Sequence, residues 1–306
     1  MNKPVLFLIF NRPKTTKKVF DVIKDVEPDR LFIAADGPRK NKQGEESLCD
    51  QTRKITENID WPCEVKRLYR EENLGCKNAV SSAIDWFFEN VEEGIILEDD
   101  SLPDKSFFWY CSELLTKYRN NAEIMHIGSN NFQDGISRGT GSYYFSKYPH
   151  IWGWASWRRA WKNYSVDISN WRNEKSNKIF KDMGVVEKIF WKSNFDSVAN
   201  GAIDTWDYQW VYAIWLNSGI CISPNRNLVI NIGVGKNSTH IKTNCSYIDN
   251  MKLNEISILK HPQNKTIDKE ADNYTLKNVF GVSIINLSKI MIISPYFIFR
   301  KLTNAY

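Results

Sequence analysis

Apolar residues fall along this chain in short runs, and each run stops at a polar cluster. Pro4–Phe10 (PVLFLIF) is continuously apolar and ends at Asn11-Arg12-Pro13, the pattern of a strand buried on both faces and followed by a turn. A helix is expected over Thr15–Lys24. Arg30–Ala35 repeats the pattern and stops at Asp36-Gly37-Pro38-Arg39, and Cys63–Leu68 is a weaker third strand. Asn73–Asn90 places Ala79, Val80, Ala83, Ile84, Phe87 and Phe88 on one helical face,. It feeds a last apolar run, Gly94–Leu97, which ends in Glu98-Asp99-Asp100. Strands alternating with helices predict right-handed βαβ units and an α/β fold: a Rossmann-like open sheet, mainly parallel and flanked by helices. Ligands of such sheets bind outside the carboxyl ends of the strands. Here those ends carry Arg12, Asp36 and the three acids.

The second half is less regular. Pro103-Asp104 starts a helix over Phe107–Tyr118, and Glu123–Gly128 is a short strand whose exit, Ser129-Asn130-Asn131, is polar, uncharged and suited to hydroxyl groups. Tyr143–Ser146 is a further strand, followed by Trp152-Gly153-Trp154, where glycine between two indoles permits close approach of the backbone to a ligand,. A helical stretch is expected to about Asn200. Ile203-Asp204-Thr205-Trp206-Asp207 then opens a helix to Asn217, with Asp204 at the N-cap position,. Gly219–Ser223 and Leu228–Ile232 are short strands, and the loop from Gly233 ends at His240, one of four histidines. In the tail, Thr275–Tyr306, an apolar run carries Lys277, Lys289, Arg300 and Lys301; Lys289 and Pro295 break it before it reaches bilayer length,. A helix docked on the domain and an interfacial helix on an anionic membrane both fit. The expected organisation is one domain over 1–255, divided near 128, with an extension over 256–306.

Composition narrows the classes. Across 306 residues, 42% are hydrophobic and 25% charged, as in soluble globular proteins,. The net charge of +5 permits anionic ligands or a membrane surface and is too diffuse for nucleic acid,. Six cysteines show no CxxC and no zinc spacing, so reduced, structural cysteines are expected, and with no signal-like N-terminus a cytoplasmic location. Of twelve tryptophans, nine lie between 152 and 215, as core or as platforms for sugar rings.

The chemistry centres on the acids. Three adjacent carboxylates repel unless a cation sits among them, and a hard divalent ion, Mn²⁺ or Mg²⁺, carrying a phosphorylated ligand is a common partner. A plain acidic strand exit is the competing reading. Taken singly, Arg12 reads as a solvated charge flanking a helix and Asp36 as a turn residue in Asp-Gly-Pro; their coincidence on successive strand ends carries the functional reading. Asp207, among aromatic rings at a helix start, has the setting of a general base, with Asp204 its competitor.

In this order, Asn11-Arg12-Pro13, Asp36-Gly37-Pro38-Arg39, Asn73-Leu74-Gly75, Glu98-Asp99-Asp100, Trp152-Gly153-Trp154, Trp206-Asp207 and Gly233-x-Gly with His240 resemble the GT-A nucleotide-sugar glycosyltransferases. Within these the chain is similar to the bacterial surface-polysaccharide enzymes called haemolytic-protein-like, distantly like N-acetylglucosaminyltransferase I. The resemblance spans about residues 4 to 240 and implies that 1–255 is a catalytic domain, with a nucleotide-binding half over about 1–128 and an acceptor half over about 129–255. It implies an inverting, metal-dependent transfer from a nucleotide sugar, a UDP-sugar first, to a glycan or lipid-linked acceptor. It assigns Arg12, Asn73, Gly75 and Lys77 to the nucleotide, Asp36 to the nucleobase, Glu98 and Asp99 to ribose and donor sugar, and Asp100 to the metal, with His240 a second metal candidate. Asp207 matches the catalytic base; some relatives have two adjacent acids there and this chain has Asp207-Tyr208. Asn130, Asn131, Trp152, Trp154 and Trp206 are expected on the acceptor side, and the tail would hold the enzyme at the inner membrane face. A sugar nucleotidyltransferase and a non-catalytic carbohydrate-binding protein are the alternatives.

Overall fold

The computed structural model describes residues 3–233 and 251–282. The first hundred residues form β1 (Val5–Ile9), α1 (Pro13–Val26), β2 (Arg30–Ala35), α2 (Glu45–Ile55), β3 (Glu64–Tyr69), α3 (Gly75–Asn90) and β4 (Glu93–Glu98). Strands β3, β2, β1 and β4 lie side by side and parallel, with Val5 opposite both Leu31 and Ile95. Alternate residues of β1 supply two cores: Val5, Phe7 and Ile9 pack with Val19, Phe20 and Ile23 of α1, while Leu6 and Leu8 pack with Ile84 and Phe87 of α3,. This two-sided burial explains the continuous apolar runs.

The second half completes the sheet. β5 (Ser101–Pro103) and α4 (Lys105–Tyr118) lead to β6 (Ile124–Gly128), β7 (Tyr143–Ser146) and β8 (Trp154–Trp157). Short helices α5 (Arg158–Trp161) and α6 (Glu174–Asn177) precede α7 (Val185–Ala199), α8 (Asp207–Leu216), β9 (Ile220–Pro224) and β10 (Val229–Asn231). The large sheet has the order β3-β2-β1-β4-β8-β6-β9-β7, and β10 pairs with β5 separately. β8 runs antiparallel between β4 and β6. The architecture is therefore a mixed, mainly parallel, Rossmann-like α/β sheet flanked by helices.

Several local expectations change. α1 starts at Pro13, where the missing amide of proline costs nothing in the first turn,. The polar helix α2 buries only Glu45, Cys49 and Thr52 and so left no apolar stripe to recognise. The Trp152-Gly153-Trp154 segment leads directly into a central strand. Gly153, at φ +72°, has Val229 Cγ2 only 2.8 Å from where a Cβ would stand, so its glycine makes room for the protein's own core.

Residues 251–282 close over the β7 edge. Ile256 joins the core, Ile267 bridges Phe145, and α9 (Lys269–Tyr274) is capped by Asp268 and continues as a π-turn over Thr275–Val279. Asp272 accepts from Ser146 Oγ at 2.6 Å, and Gln133 Nε2 donates to Ala271 O at 3.2 Å and Thr275 Oγ1 at 3.0 Å. The start of the expected extension is thus packed on the domain, protecting its edge strand. The apolar stretch beyond residue 282 and His240 lie outside the described residues. Among the described residues no helix is long and apolar enough to cross a membrane.

Candidate active site

The C-terminal rim of the parallel strands gathers the predicted charges. Arg12, in the turn after β1, places Nη1 2.5 Å from Asp100 Oδ2 and 3.4 Å from Asp99 Oδ1. The Phe10 amide donates to the other Asp99 oxygen at 3.1 Å. Burial, then repulsion from Asp100, raises the Asp99 carboxyl, with Arg12 acting against it. Burial also raises Glu98, helped by Asp100, Asp99 and Asp207. Burial weakens Arg12's hold on its proton, and the three acids outweigh it, so the guanidinium stays firmly charged.

Asp100 is further fixed from the C-terminal side. Its carbonyl accepts from the Ile232 amide at 2.8 Å, and a Cβ on Gly233 would stand 2.4 Å from its Oδ2. Glycine is required there because the chain passes against the carboxylate. Among the described residues no group of three or more His, Cys, Asp or Glu is arranged to hold a metal. The donor set is oxygen-only and anionic, with one guanidinium against three carboxylates. That suits a hard divalent ion taking one protein carboxylate and completing its shell with phosphate and water.

Asp36 directly follows β2 on this rim, and its side chain is turned to the protein itself. Both carboxylate oxygens are occupied by its own chain: the Gly37 amide at 2.9 Å, Leu74 at 3.0 Å, Gly75 at 3.1 Å and Asn73 Nδ2 at 2.9 Å. Asp36 and Asn73 therefore build the turn into α3, and Asp36 has its acceptor sites filled without a nucleobase. Burial raises its carboxyl against those amide hydrogen bonds and Arg70. Arg70, just after β3, lies beside Asp36, and its guanidinium donates to Ser82 Oγ at 2.7 Å. It is a rim cation that the sequence pattern did not isolate, because a lone arginine after a weak strand has no periodic mark.

The second half reaches the same rim through Lys77 Nζ, 3.9 Å from Asp204 Oδ1. Asp204 is exposed and lies before the helix; Trp206 occupies the N-cap position and Asp207 is the first residue of α8. The N-cap role expected for Asp204 is thus not the one it has. Asp207 is half-buried and close enough to Glu98 to act on its ionisation, and its Oδ1 accepts from the Thr205 hydroxyl. Cys76 links the halves. Solvent reaches it, yet crowding, then Glu98, Asp207, Asp204 and Asp36, holds its thiol well above the usual range. The sequence reading missed Cys76 and Thr205; neighbours distant in sequence give both their significance.

Four residues expected on the acceptor side lie inside. Trp154 is fully buried and stacks on Trp206, itself 2% exposed, with ring centres 5.8 Å apart. Asn130 Nδ2 donates to Val229 O at 2.8 Å, and Asn131 Nδ2 to Pro224 O at 3.1 Å. These side chains tie β6 to the β9–β10 connection and pack the core, so a bound glycan has no access to them. Trp152 is half-buried beside Phe132.

The chain matches no protein-family model and no curated protein sequence. Among solved structures it is similar to HddC from Yersinia pseudotuberculosis, at 11% identity over 53% of this chain and 80% of that one, with a TM-score of 0.32. It is also similar to a UDP-glucose pyrophosphorylase (10% identity, 73% of this chain and 90% of that one, TM-score 0.38). A third is 4-diphosphocytidyl-2C-methyl-D-erythritol synthase from Anaerococcus prevotii (10% identity, 51% and 72%, TM-score 0.32). Similarity at this level carries no argument about activity.

Proposed function

We propose that this protein acts on sugar nucleotides, as an inverting glycosyltransferase that moves a sugar from a nucleoside-diphosphate sugar, UDP-sugars first, to a hydroxyl of a glycan or lipid-linked glycan. Bacterial surface-polysaccharide synthesis is the setting that the resemblance implies. The observation that supports this reading is that the turn carrying Asp204 and Asp207, from the second half of the chain, lies against the start of α3 on the strand-end rim, with Asp204 Oδ1 3.9 Å from Lys77 Nζ. A donor-side acidic cluster and a separately held carboxylate are what displacement at an anomeric carbon needs.

In this reading Asp207 takes the proton of the acceptor hydroxyl. The acceptor oxygen bonds to the anomeric carbon as the bond from that carbon to the diphosphate breaks, and the electron pair leaves with the diphosphate. Arg12 and Lys77 face the phosphates, and Glu98 and Asp99 the ribose and sugar hydroxyls. Asp100 would hold Mn²⁺ or Mg²⁺, which when bound neutralises charge on the departing diphosphate. Asp207 is a better base than Asp204, which is exposed and paired with Lys77.

Nucleotidyl transfer is the second reading, and it is the one the name UDP-glucose pyrophosphorylase describes. Only Phe10, Asn11 and Arg12 connect β1 to α1, and the side chains of Asn11 and Arg12 are tied to Glu45 and Asp100. So short a turn has no Gly-rich length to wrap a triphosphate, which favours glycosyl transfer. Burial of Trp154 and Trp206 weakens the reading as a non-catalytic carbohydrate-binding protein.

A panel of nucleotide sugars, assayed with Mn²⁺ for release of nucleoside diphosphate, tests the proposal. Asp207→Asn is expected to lower turnover about 10²- to 10⁴-fold with UDP binding retained, and Asp100→Ala to abolish Mn²⁺-dependent UDP binding by calorimetry. Pyrophosphate release from UTP and a sugar 1-phosphate, without diphosphate release from any sugar nucleotide, would establish the second reading instead.

A further inference from the structure

Beyond the acid itself, the turn that carries Asp207 is anchored at two successive backbone carbonyls, those of Thr205 and Trp206. Thr205 donates its hydroxyl to Asp207 Oδ1. The Thr205 carbonyl accepts from Gln209 Nε2 at 2.6 Å, and Gln209, fully buried one turn into α8, also donates to Val166 O at 3.3 Å. Both of these acceptors are carbonyls, so the amide must present its NH₂ to them, and the orientation of Gln209 follows from chemistry. The intervening Trp206 has its carbonyl bonded to Tyr164 OH at 3.2 Å and its ring stacked on buried Trp154. Tyr164 in turn stacks on Trp161, with centres 4.2 Å apart.

We infer that Thr205, held by Gln209, is a positioning residue for the proposed base. It occupies Oδ1 of Asp207 and so turns Oδ2 towards the acceptor hydroxyl. Threonine suits the task because its β-branched side chain has few rotamers, so the hydroxyl direction is set once the backbone is pinned. The base thereby sits on a helix start supported by packed aromatic rings, where small misplacements are suppressed. The inference rests on the reading of Asp207 as the base, and the variants below separate the two.

The test uses the full chain, with UDP-glucose, UDP-galactose and UDP-N-acetylglucosamine as donors in the presence of Mn²⁺. Thr205→Val keeps the shape and removes the hydroxyl. It is expected to lower kcat by roughly 10- to 100-fold, the scale at which misorientation of a reacting group is felt. Donor KM and calorimetric UDP affinity should stay within about twofold, because the donor side is untouched. Thr205→Ser restores the hydroxyl and should recover most of the lost kcat, a rescue that a purely structural threonine would not show. Thr205→Ala gives the same comparison if the valine variant folds poorly. Unchanged kcat in Thr205→Val, or a serine variant as slow as the valine one, overturns the positioning role while Asp207→Asn still reports on the base. If Asp207→Asn turns over normally, the base assignment fails and the inference with it. The same holds if no donor is consumed.

Discussion

Asp36 is the residue at which two sound arguments diverge. An acid at the end of a strand, before Gly-Pro, reads singly as a turn residue and, in company with Arg12 and the acidic triplet, as a ligand contact. The amides of Gly37, Leu74 and Gly75 make it the internal anchor of the α3 turn. A buried amide that loses its acceptor costs about 1–3 kcal/mol. Asp36→Ala is accordingly expected to destabilise the protein by about 2–3 kcal/mol in urea unfolding, with faster hydrogen exchange at Leu74 and Gly75. A loss under about 0.5 kcal/mol, the usual range for a surface substitution, would show that solvent replaces the carboxylate and free Asp36 for a ligand.

Between elements, close packing decides what composition only permits. β4 delivers the acidic triplet, and its position depends on Gly94, where a Cβ would meet Phe87 Cζ at 2.3 Å and Pro4 O at 2.8 Å. Gly94→Ala must push α3 or β1 away and is expected to cost about 1–3 kcal/mol by overpacking. Gly184→Ala, with nothing within 4 Å, should change the denaturation midpoint little. Equal effects of the two would mean that the β4–α3 contact yields freely. The aromatic cluster follows the same rule. Tryptophans that could have been sugar platforms, Trp154 and Trp206 among them, became the wall behind α8, because an indole buries more apolar area in a core than in an open groove.

For the whole molecule, burial without charge compensation predicts sensitivity to acid. His126 accepts from Trp210 Nε1 at 3.2 Å and lies 3.1 Å from the His150 carbonyl, and burial lowers both His126 and His150 to about 3. Unfolded histidines titrate near 6.5. Their contribution is therefore fully present above pH 6.5 and is lost as pH falls towards 3, because only the unfolded chain takes up the protons. Each histidine steepens the loss by up to about 1.4 kcal/mol per pH unit. Glu98 and Asp99, raised by burial, act in the opposite sense, favouring the fold as they protonate. His126→Phe should flatten the acid limb of stability against pH between about 6 and 4 by up to one proton's worth, read from urea midpoints. An unchanged slope would mean that His126 titrates normally in the folded protein.

Much of the fold was legible in the chain itself. The runs at Pro4–Phe10, Arg30–Ala35 and Gly94–Leu97 read as strands buried on both faces, because they are continuously apolar, too short for helices and bounded by turn or polar residues,. That the first sheet half is parallel, and that Arg12 and Glu98-Asp99-Asp100 share one rim, follow from the alternation of strands and helices. Tertiary structure alone decided which polar groups remain available. It set Asp36 and Asn130 to internal hydrogen bonds, put Trp154 in a central strand, and gathered Asp207 and Cys76 near Glu98, with Thr205 bonded to Asp207. The physical reason is that hydrophobic periodicity encodes burial along a segment, whereas the satisfaction of a polar group depends on partners that are distant in sequence and known only once the chain is packed.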